Sequence, residues 1–427
     1  SCPAPDETRS TCPYCGTGCG VLLRPDGAGG LDVRGDPEHP ANRGRLCSKG
    51  LALGETVDME GRLLAPQVLG RETDWDSALD LVAAKFRQAV DQHGPDSVAF
   101  YLSGQMLTED YYVANKLMKG FLGSANIDTN SRLCMASTVA GHKRAFGTDT
   151  VPGTYEDLED ADLIVLVGSN LAWCHPVLYQ RILAAREARG IKLVVIDPRR
   201  TASCDQVDVH LKLRAGSDVA LFNLLLAALY EGGALNAEYL QHVEGLGAAL
   251  EAAFAAEASA TGLSDNEIEA FCRLWAGTEK VVTIFSQGVN QSTSGADKVN
   301  AILNCHLATG RIGKPGCGPF SVTGQPNAMG GREVGGLANM LACHMDLENT
   351  SHRAAVQEFW NAPAIPERAG LKAVDLFRAA GDGQLKALWI IHTNPAATMP
   401  EADAVSAAIK ACDFTVVSDI TAATDTA

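Results

Sequence analysis

Residues 161–201 read ADLIVLVGSNLAWCHPVLYQRILAAREARGIKLVVIDPRRT. An apolar run, LIVLV, ends in the small polar turn Gly168–Ser169–Asn170. A segment with apolar residues at helical spacing follows, from His175 to Gly190, and a second apolar run, IKLVVI, ends at Asp197. Strand, helix and strand in this succession read as a right-handed βαβ unit of a parallel sheet. The fold class is therefore α/β.

The alternation extends in both directions. Upstream, LDLVAAKFRQAVDQHG predicts a helix and SVAFYLSG a strand. Downstream, residues 217–278 are rich in Ala and Leu and largely helical, EKVVTIFSQG is a strand and SGADKVNAILNCHLATG a helix. The segment from Gly313 to Gly336 reads as loop, after which LKALWIIHTNP and FTVVSDI are strands that end in polar residues. The first fifty residues differ: they are dense in Cys, Gly, Arg and Pro, and GVLLRP and LDVRGD suit small antiparallel strands. So short a piece needs a staple to fold.

A chain of 427 residues exceeds one ordinary core, so two or three domains are expected. Its formal charge of -16 argues against a nucleic-acid surface and suits a basic electron-donor protein. The longest apolar run, VALFNLLLAALY, is too short for a membrane span and reads as a buried helix. The first residues lack an apolar signal core and a twin-arginine pair, so a cytoplasmic location is expected, or a periplasmic one where a leader has been removed. In such a chain 13 cysteines point to metal ligation and burial before disulfides.

The strongest motif is TCPYCGTGCG followed by RGRLCSKG. It places Cys12, Cys15, Cys19 and Cys47 at C-x2-C-x3-C-x27-C spacing. Three thiolates on one glycine-rich loop and a fourth returning from afar suit a 4Fe-4S cluster, whose iron takes four soft sulfur ligands. A structural zinc site is the competing reading, although zinc usually takes two C-x2-C knuckles. Lys49, two residues beyond the last cysteine, would lie between the cluster and what it serves. The Gly168–Asn170 turn and Asp197 stand where open parallel sheets bind nucleotides, and His392–Pro395 with Asp419 form a comparable pair of strand ends. Cys174 and His175 read as helix openers, and Cys204, Cys272, Cys305 and Cys412 as core. No nucleophile-elbow signature occurs, so hydrolysis has no support.

The cluster motif with Lys49, a lone Cys134 in NSRLCMAST, VGSN with HP after it, GQPNAMGGREVGG and HTNPAATMP together resemble the molybdopterin oxidoreductases with a bis-guanine-dinucleotide cofactor. The resemblance runs through the chain in order and is closest to the prokaryotic assimilatory nitrate reductases and similar periplasmic ones. It implies a 4Fe-4S cluster on the four cysteines, molybdenum ligated by two molybdopterin guanine dinucleotides and by Cys134, and electron passage past Lys49. It further implies that Asn130, Gly168, Ser169, Asn170, Asp197, Gly216, Asp218, Gln287, Gly324, Gln325, His392, Asn394 and Asp419 lie in the cofactor-binding segments. Met135 would shape the pocket. Formate dehydrogenases, the main relatives of different chemistry, carry His after the Mo-ligating residue and Arg before the GQ dipeptide; here Met135 and Thr323 stand there. Arg332 is then the candidate cation for nitrate.

The implied activity is two-electron reduction of nitrate to nitrite by oxygen-atom transfer at molybdenum, in nitrate assimilation. Ferredoxin, flavodoxin or an NADH-dependent partner subunit would be the donor. A non-catalytic iron-sulfur electron-transfer subunit is the alternative from another class. The implied fold is a cluster domain over residues 1–65, an α/β domain with the second nucleotide site from 66–130 and 320–427, and a dinucleotide-binding-like α/β domain over 131–319. Family members also carry a C-terminal β-barrel-like domain, for which this sequence shows no counterpart, so a longer protein is expected.

Overall fold

A computed structural model describes residues 6–427; Cys2 and the segment leading into Asp6 lie outside the described residues. The chain forms two compact units, one from the residues up to Val57 together with Cys134–Pro326, the other from Asp58–Leu133 together with Asn327–Ala427.

The first unit holds two sheets. Thr8–Thr11, Gly20–Pro25 and Leu31–Gly35 form an antiparallel three-stranded sheet beside the cysteine loop. A parallel five-stranded sheet follows in the order Val209–Leu211, Lys192–Ile196, Leu163–Val167, Val281–Phe285, Gly318–Ser321. Successive side chains of a strand face opposite ways, and the run LIVLV shows the consequence. Leu163, Val165 and Val167 enter one apolar core with Leu225, Phe271, Trp275 and Ile302, while Ile164 and Leu166 enter another with Leu178 and Ile182. Helices thus cover both faces, which is why the strand has no polar position.

The helix Asp265–Gly277 illustrates how sequence sets an element. Ser264 caps it, accepting from the Glu267 N–H, while Glu267 reaches back to the Ser264 N–H. Ile268, Phe271, Cys272 and Trp275, at helical spacing, face the core.

The second unit has a parallel four-stranded sheet in the order Phe414–Ser418, Ala387–Ile391, Val98–Leu102, Ile127–Thr129. Here Ala99 and Tyr101 pack with Leu376, Phe377 and Val405, and Val98, Phe100 and Leu102 with Phe86, Tyr111 and Met118. Trp75–His93 starts at Asp74, whose carboxylate accepts from the Ser77 N–H at 2.8 Å, and stops at Gly94 with φ +85°.

Several elements depart from the sequence reading. Gly318–Ser321 is a strand and Ala328–Glu333 a helix inside the stretch expected to be loop. The helix that carries Cys134 begins at Ser131 and is broken at Met135, whose φ of -136° and ψ of 19° are not helical. Lys116–Leu122 is a π-helix. Its Met118, Lys119 and Gly120 are all buried, three successive residues that an ordinary helix would turn to different sides.

Candidate active site and cofactor sites

In the first unit the order of the parallel strands reverses between Leu163–Val167 and Val281–Phe285. Ligands of open α/β sheets bind beyond the carboxyl ends of the strands at such a point. The residues there are Gly168, Ser169 and Asn170 on one side and Ser286 and Gln287 on the other. Gly168 has φ +52°, and a side chain on it would sit 2.7 Å from the Gly288 Cα. The Gly288 N–H donates to the Gly168 carbonyl at 3.0 Å, so two glycines let the two strand ends touch.

Ser169 is buried, and its hydroxyl has no hydrogen-bond partner among the described residues. A buried hydroxyl costs free energy until something meets it, so Ser169 fits a site that a polar ligand completes. Asn170 caps the next turn and accepts from the Ser203 hydroxyl at 2.9 Å. Asp197 ends the neighbouring strand, and its carboxylate accepts from the Arg199 N–H at 2.8 Å.

Gly216 has φ +90° with open space where a side chain would stand, as an approaching ligand requires. Asp218 is committed differently from the sequence reading, which considered no partner for it. It is buried and paired with the equally buried Lys298 at 2.8 Å. A ligand there would meet an ion pair instead of a lone carboxylate.

Cys134 lies within the first unit and is 8 % exposed. The Gln287 Nε2 donates to its sulfur at 2.9 Å, and the Thr323 hydroxyl lies 3.1 Å from it. Thr323 also reaches the Gln325 Oε1 at 3.1 Å. A thiolate only accepts hydrogen bonds, so an amide donor aimed at this sulfur suits a metal-ligating thiolate and leaves its remaining side for the metal. Met135, 4 % exposed, breaks the helix directly behind it. Gly324 stands in open space beside Gln325.

The four motif cysteines come together. The Cys12 N–H donates to the Cys19 carbonyl at 2.8 Å, closing the loop, and Cys12, Cys19 and Cys47 join one small apolar cluster with Val21 and Val177. Burial pushes the Cys19 thiol up to about 12, and the neighbouring Cys15, Cys12 and Cys47 add to the rise; burial likewise raises Cys12. Cys12 and Cys19 are thus poorly stable as anions without a cation beside them, which suits a metal cluster. Among the described residues no group of three or more His, Cys, Asp or Glu side chains is set to hold a single metal ion. The exposed Lys49 acts electrostatically on Cys12, Cys174 and His175.

Two residues that the sequence reading passed over join these parts. A side chain on Gly16, inside the cysteine loop, would stand 2.6 Å from the Thr323 carbonyl, so the loop packs directly on the residue that touches Cys134. His175, read as a helix opener, is 1 % exposed, with Nε2 at 2.5 Å from the same carbonyl. Burial holds it below the usual imidazole range, so it is a neutral ring that donates through Nε2. Its Nδ1 is buried without a partner among the described residues. The HP dipeptide was the only signal, and it does not reveal a contact 148 residues away.

The second unit repeats the arrangement. Its strand order reverses between Val98–Leu102 and Ala387–Ile391, beside Asn130 and His392. Asn130 accepts from the Gly104 N–H at 2.8 Å and reaches the Thr393 hydroxyl at 3.3 Å. His392 has φ +56°, the left-handed region, and its N–H donates to the Ser418 carbonyl at 2.9 Å. Asn394 is held by Thr426 and Asp425, and Asp419 accepts from the Ile420 N–H at 2.7 Å. Arg332 is buried on the helix Ala328–Glu333.

Comparison with known proteins shows the family. Residues 69–427 match the profile of the molybdopterin oxidoreductase family and residues 6–59 that of the molybdopterin oxidoreductase Fe4S4 domain. The chain is 53 % identical over 421 residues to a nitrate reductase of Klebsiella oxytoca, covering 98 % of this chain and 48 % of that protein. It is 49 % identical over 434 residues to a nitrate reductase of Shewanella frigidimarina, covering 98 % and 46 %. It is 37 % identical over 425 residues to a periplasmic nitrate reductase of Desulfovibrio desulfuricans, covering 94 % and 56 %. The chain thus spans about half the length of these relatives. Acetylene hydratase from Pelobacter acetylenicus shares the fold with a TM-score of 0.77 at 18 % identity, over 96 % of this chain and 60 % of that one.

Proposed function

The chain belongs to the molybdopterin oxidoreductases, and from that premise we propose that it is the cluster- and pterin-binding part of a nitrate reductase catalytic subunit. The observation that carries the reading is Cys134, a buried thiol with the Gln287 amide aimed at its sulfur and Thr323 beside it. Molybdenum with two pterin dithiolenes, when bound, supplies the two-electron redox chemistry, and a 4Fe-4S cluster supplies electrons one at a time.

In this reading Cys12, Cys15, Cys19 and Cys47 hold the cluster, and Cys134 is the protein ligand to molybdenum. Gln287 fixes the direction of its sulfur and draws charge from it, while the Thr323 hydroxyl, which donates to Gln325, packs beside it. Gly168, Ser169, Asn170, Asp197, Gly216 and the Asp218–Lys298 pair receive one guanine dinucleotide, with Gly324 and Gln325 alongside. Asn130, His392, Asn394 and Asp419 receive the other. Lys49 lies on the electron route, Met135 shapes the pocket and Arg332 attracts nitrate. Residues 1–65 form the cluster domain, 66–130 with 320–427 the second-nucleotide domain and 131–319 the first-nucleotide domain. A role in nitrate assimilation, a cytoplasmic location and a ferredoxin, flavodoxin or NADH-linked donor belong to the same proposal. Among the described residues no helix is long and apolar enough to cross a membrane.

The test is anaerobic turnover of the full-length protein with reduced viologen and nitrate, with formate as alternative substrate in parallel. Nitrite formed at one per two electrons is expected. Formate oxidation without nitrate reduction would replace the substrate assignment, and iron without molybdenum on metal analysis would favour an electron-transfer subunit.

A further inference from the structure

Lys119 is a charged residue to which no part of the proposed chemistry gives a role. Its side chain is fully buried, and the Nζ donates to three backbone carbonyls, those of Gly335 at 2.7 Å, Leu337 at 2.8 Å and Met340 at 2.6 Å. The segment from Gly335 to Leu341 is almost wholly buried yet lies outside regular secondary structure beyond a single bridge at Met340. Buried backbone that forms no helix or sheet must find its hydrogen bonds elsewhere.

The partners come from one polar set in the second unit. The Ala338 N–H donates to Asp128 at 3.3 Å, and the Gly370 N–H donates to the Ala338 carbonyl at 2.9 Å. The Val334 carbonyl accepts from the Asn115 Nδ2 at 2.6 Å. Arg132 bonds both Asp128 oxygens, at 3.0 and 3.1 Å, and the Asn339 side chain at 2.8 Å. Lys119 alone serves three carbonyls, and it is the π-helix that leaves it facing inward beside Met118.

The segment held this way begins at Arg332. The Gly335 N–H donates to the Arg332 carbonyl at 3.0 Å, and the Gly336 N–H to the Gly331 carbonyl at 2.8 Å. Tyr111 fills the space against Gly331 and Gly336, where a side chain would come within 2.7 Å and 3.0 Å of its ring. Helix end, loop and lysine thus form one rigid piece.

We propose that Lys119 is a positioning residue: its ammonium clamps the Gly335–Met340 loop and so fixes the orientation of Arg332. The functional half of this statement rests on the reading of Arg332 as the cation for nitrate. The clamp half does not.

The clamp depends on charge, because an ammonium has three N–H donors for three carbonyls and a neutral amine has two. Burial draws the lysine down to about 7, opposed by the Asp128 carboxylate from the strand Ile127–Thr129 and assisted by Arg132. Between that value and its ordinary range the unfolded chain holds one more proton than the folded one, so this lysine makes global stability rise with pH. Loosening of the loop at high pH is then local and is distinguishable from unfolding.

Hydrogen exchange read by mass spectrometry on the holoenzyme tests the clamp. After correction for intrinsic rates, amides of residues 334–341 in the wild-type protein exchange about tenfold faster at pH 9 than at pH 6, and in Lys119→Met they are fast at both. Lys119→Arg, which keeps the donors, restores slow exchange. Slow exchange in every case would overturn the clamp, and the wild-type comparison holds even where Lys119→Met fails to fold.

Nitrate kinetics test the positioning role. Lys119→Met and Arg332→Gln each raise the nitrate KM about tenfold with smaller change in kcat, and the double variant is no worse than Arg332→Gln alone, because the lysine acts through the arginine. Additive effects would overturn the positioning role. An unchanged KM in Arg332→Gln would defeat the reading of Arg332, while the exchange data still judge the clamp.

Discussion

At the scale of single residues, Cys134 shows how little a lone cysteine says. Its immediate neighbours in sequence fit a buried thiol, and only the order of motifs along the whole chain makes it the proposed metal ligand. What the sequence could not reveal is its setting, because Gln287 and Thr323 lie 153 and 189 residues away. The same distance hides His175, whose dipeptide looks like an ordinary helix start. The setting makes a prediction. Gln287→Leu removes a donor from the sulfur that the proposed function makes a metal-bound thiolate, an interaction of about 1.5–3 kcal/mol, so the molybdenum midpoint potential read by redox-titrated electron paramagnetic resonance should fall. The Fe–S signal should stay in place. An unmoved potential would mean that the amide serves only to pack.

At the scale of elements, the strands that bury both faces were legible because a continuous apolar run leaves no other fate for LIVLV or VVTIF. Helices with caps and periodicity, such as Asp265–Gly277, were equally open to reading. The strand Gly318–Ser321 was not, since a short edge strand among Gly and Pro borrows its stability from Val282–Phe285 beside it. The π-helix was hidden too, for nothing in KLMKGFL announces that three successive residues will be buried. Strand ends carry the proposed cofactor sites, and the Gly168–Gly288 contact can be tested. Gly168→Ala puts a side chain 2.7 Å from backbone at φ +52°, with no flexible atom to yield. It should lower guanine-dinucleotide content several-fold while iron stays near four per chain, as counted by nucleotide release and metal analysis. Full dinucleotide content would show that this turn is not part of the site.

At the scale of the molecule, the two units interleave along the chain, which crosses between them at Val57–Asp58, Leu133–Cys134 and Pro326–Asn327. Two of those crossings fall beside residues of the proposed site: one delivers Cys134, the other follows Thr323 and Gln325. Periodicity foresaw parallel α/β structure and the motif spacing a cysteine loop, while the division into two α/β parts came with the family resemblance. They could not foresee that the loop packs against Thr323, a contact made through the bare Cα of Gly16.

Binding of molybdenum by Cys134 in a nitrate-reducing centre is tested by nitrite formation in the full-length Cys134→Ala protein with its metals counted. Nitrate reduction should fall by about a thousandfold or more, with the four-iron cluster and its spectrum unchanged. Substantial nitrate reduction in a protein that lacks this thiol would contradict it.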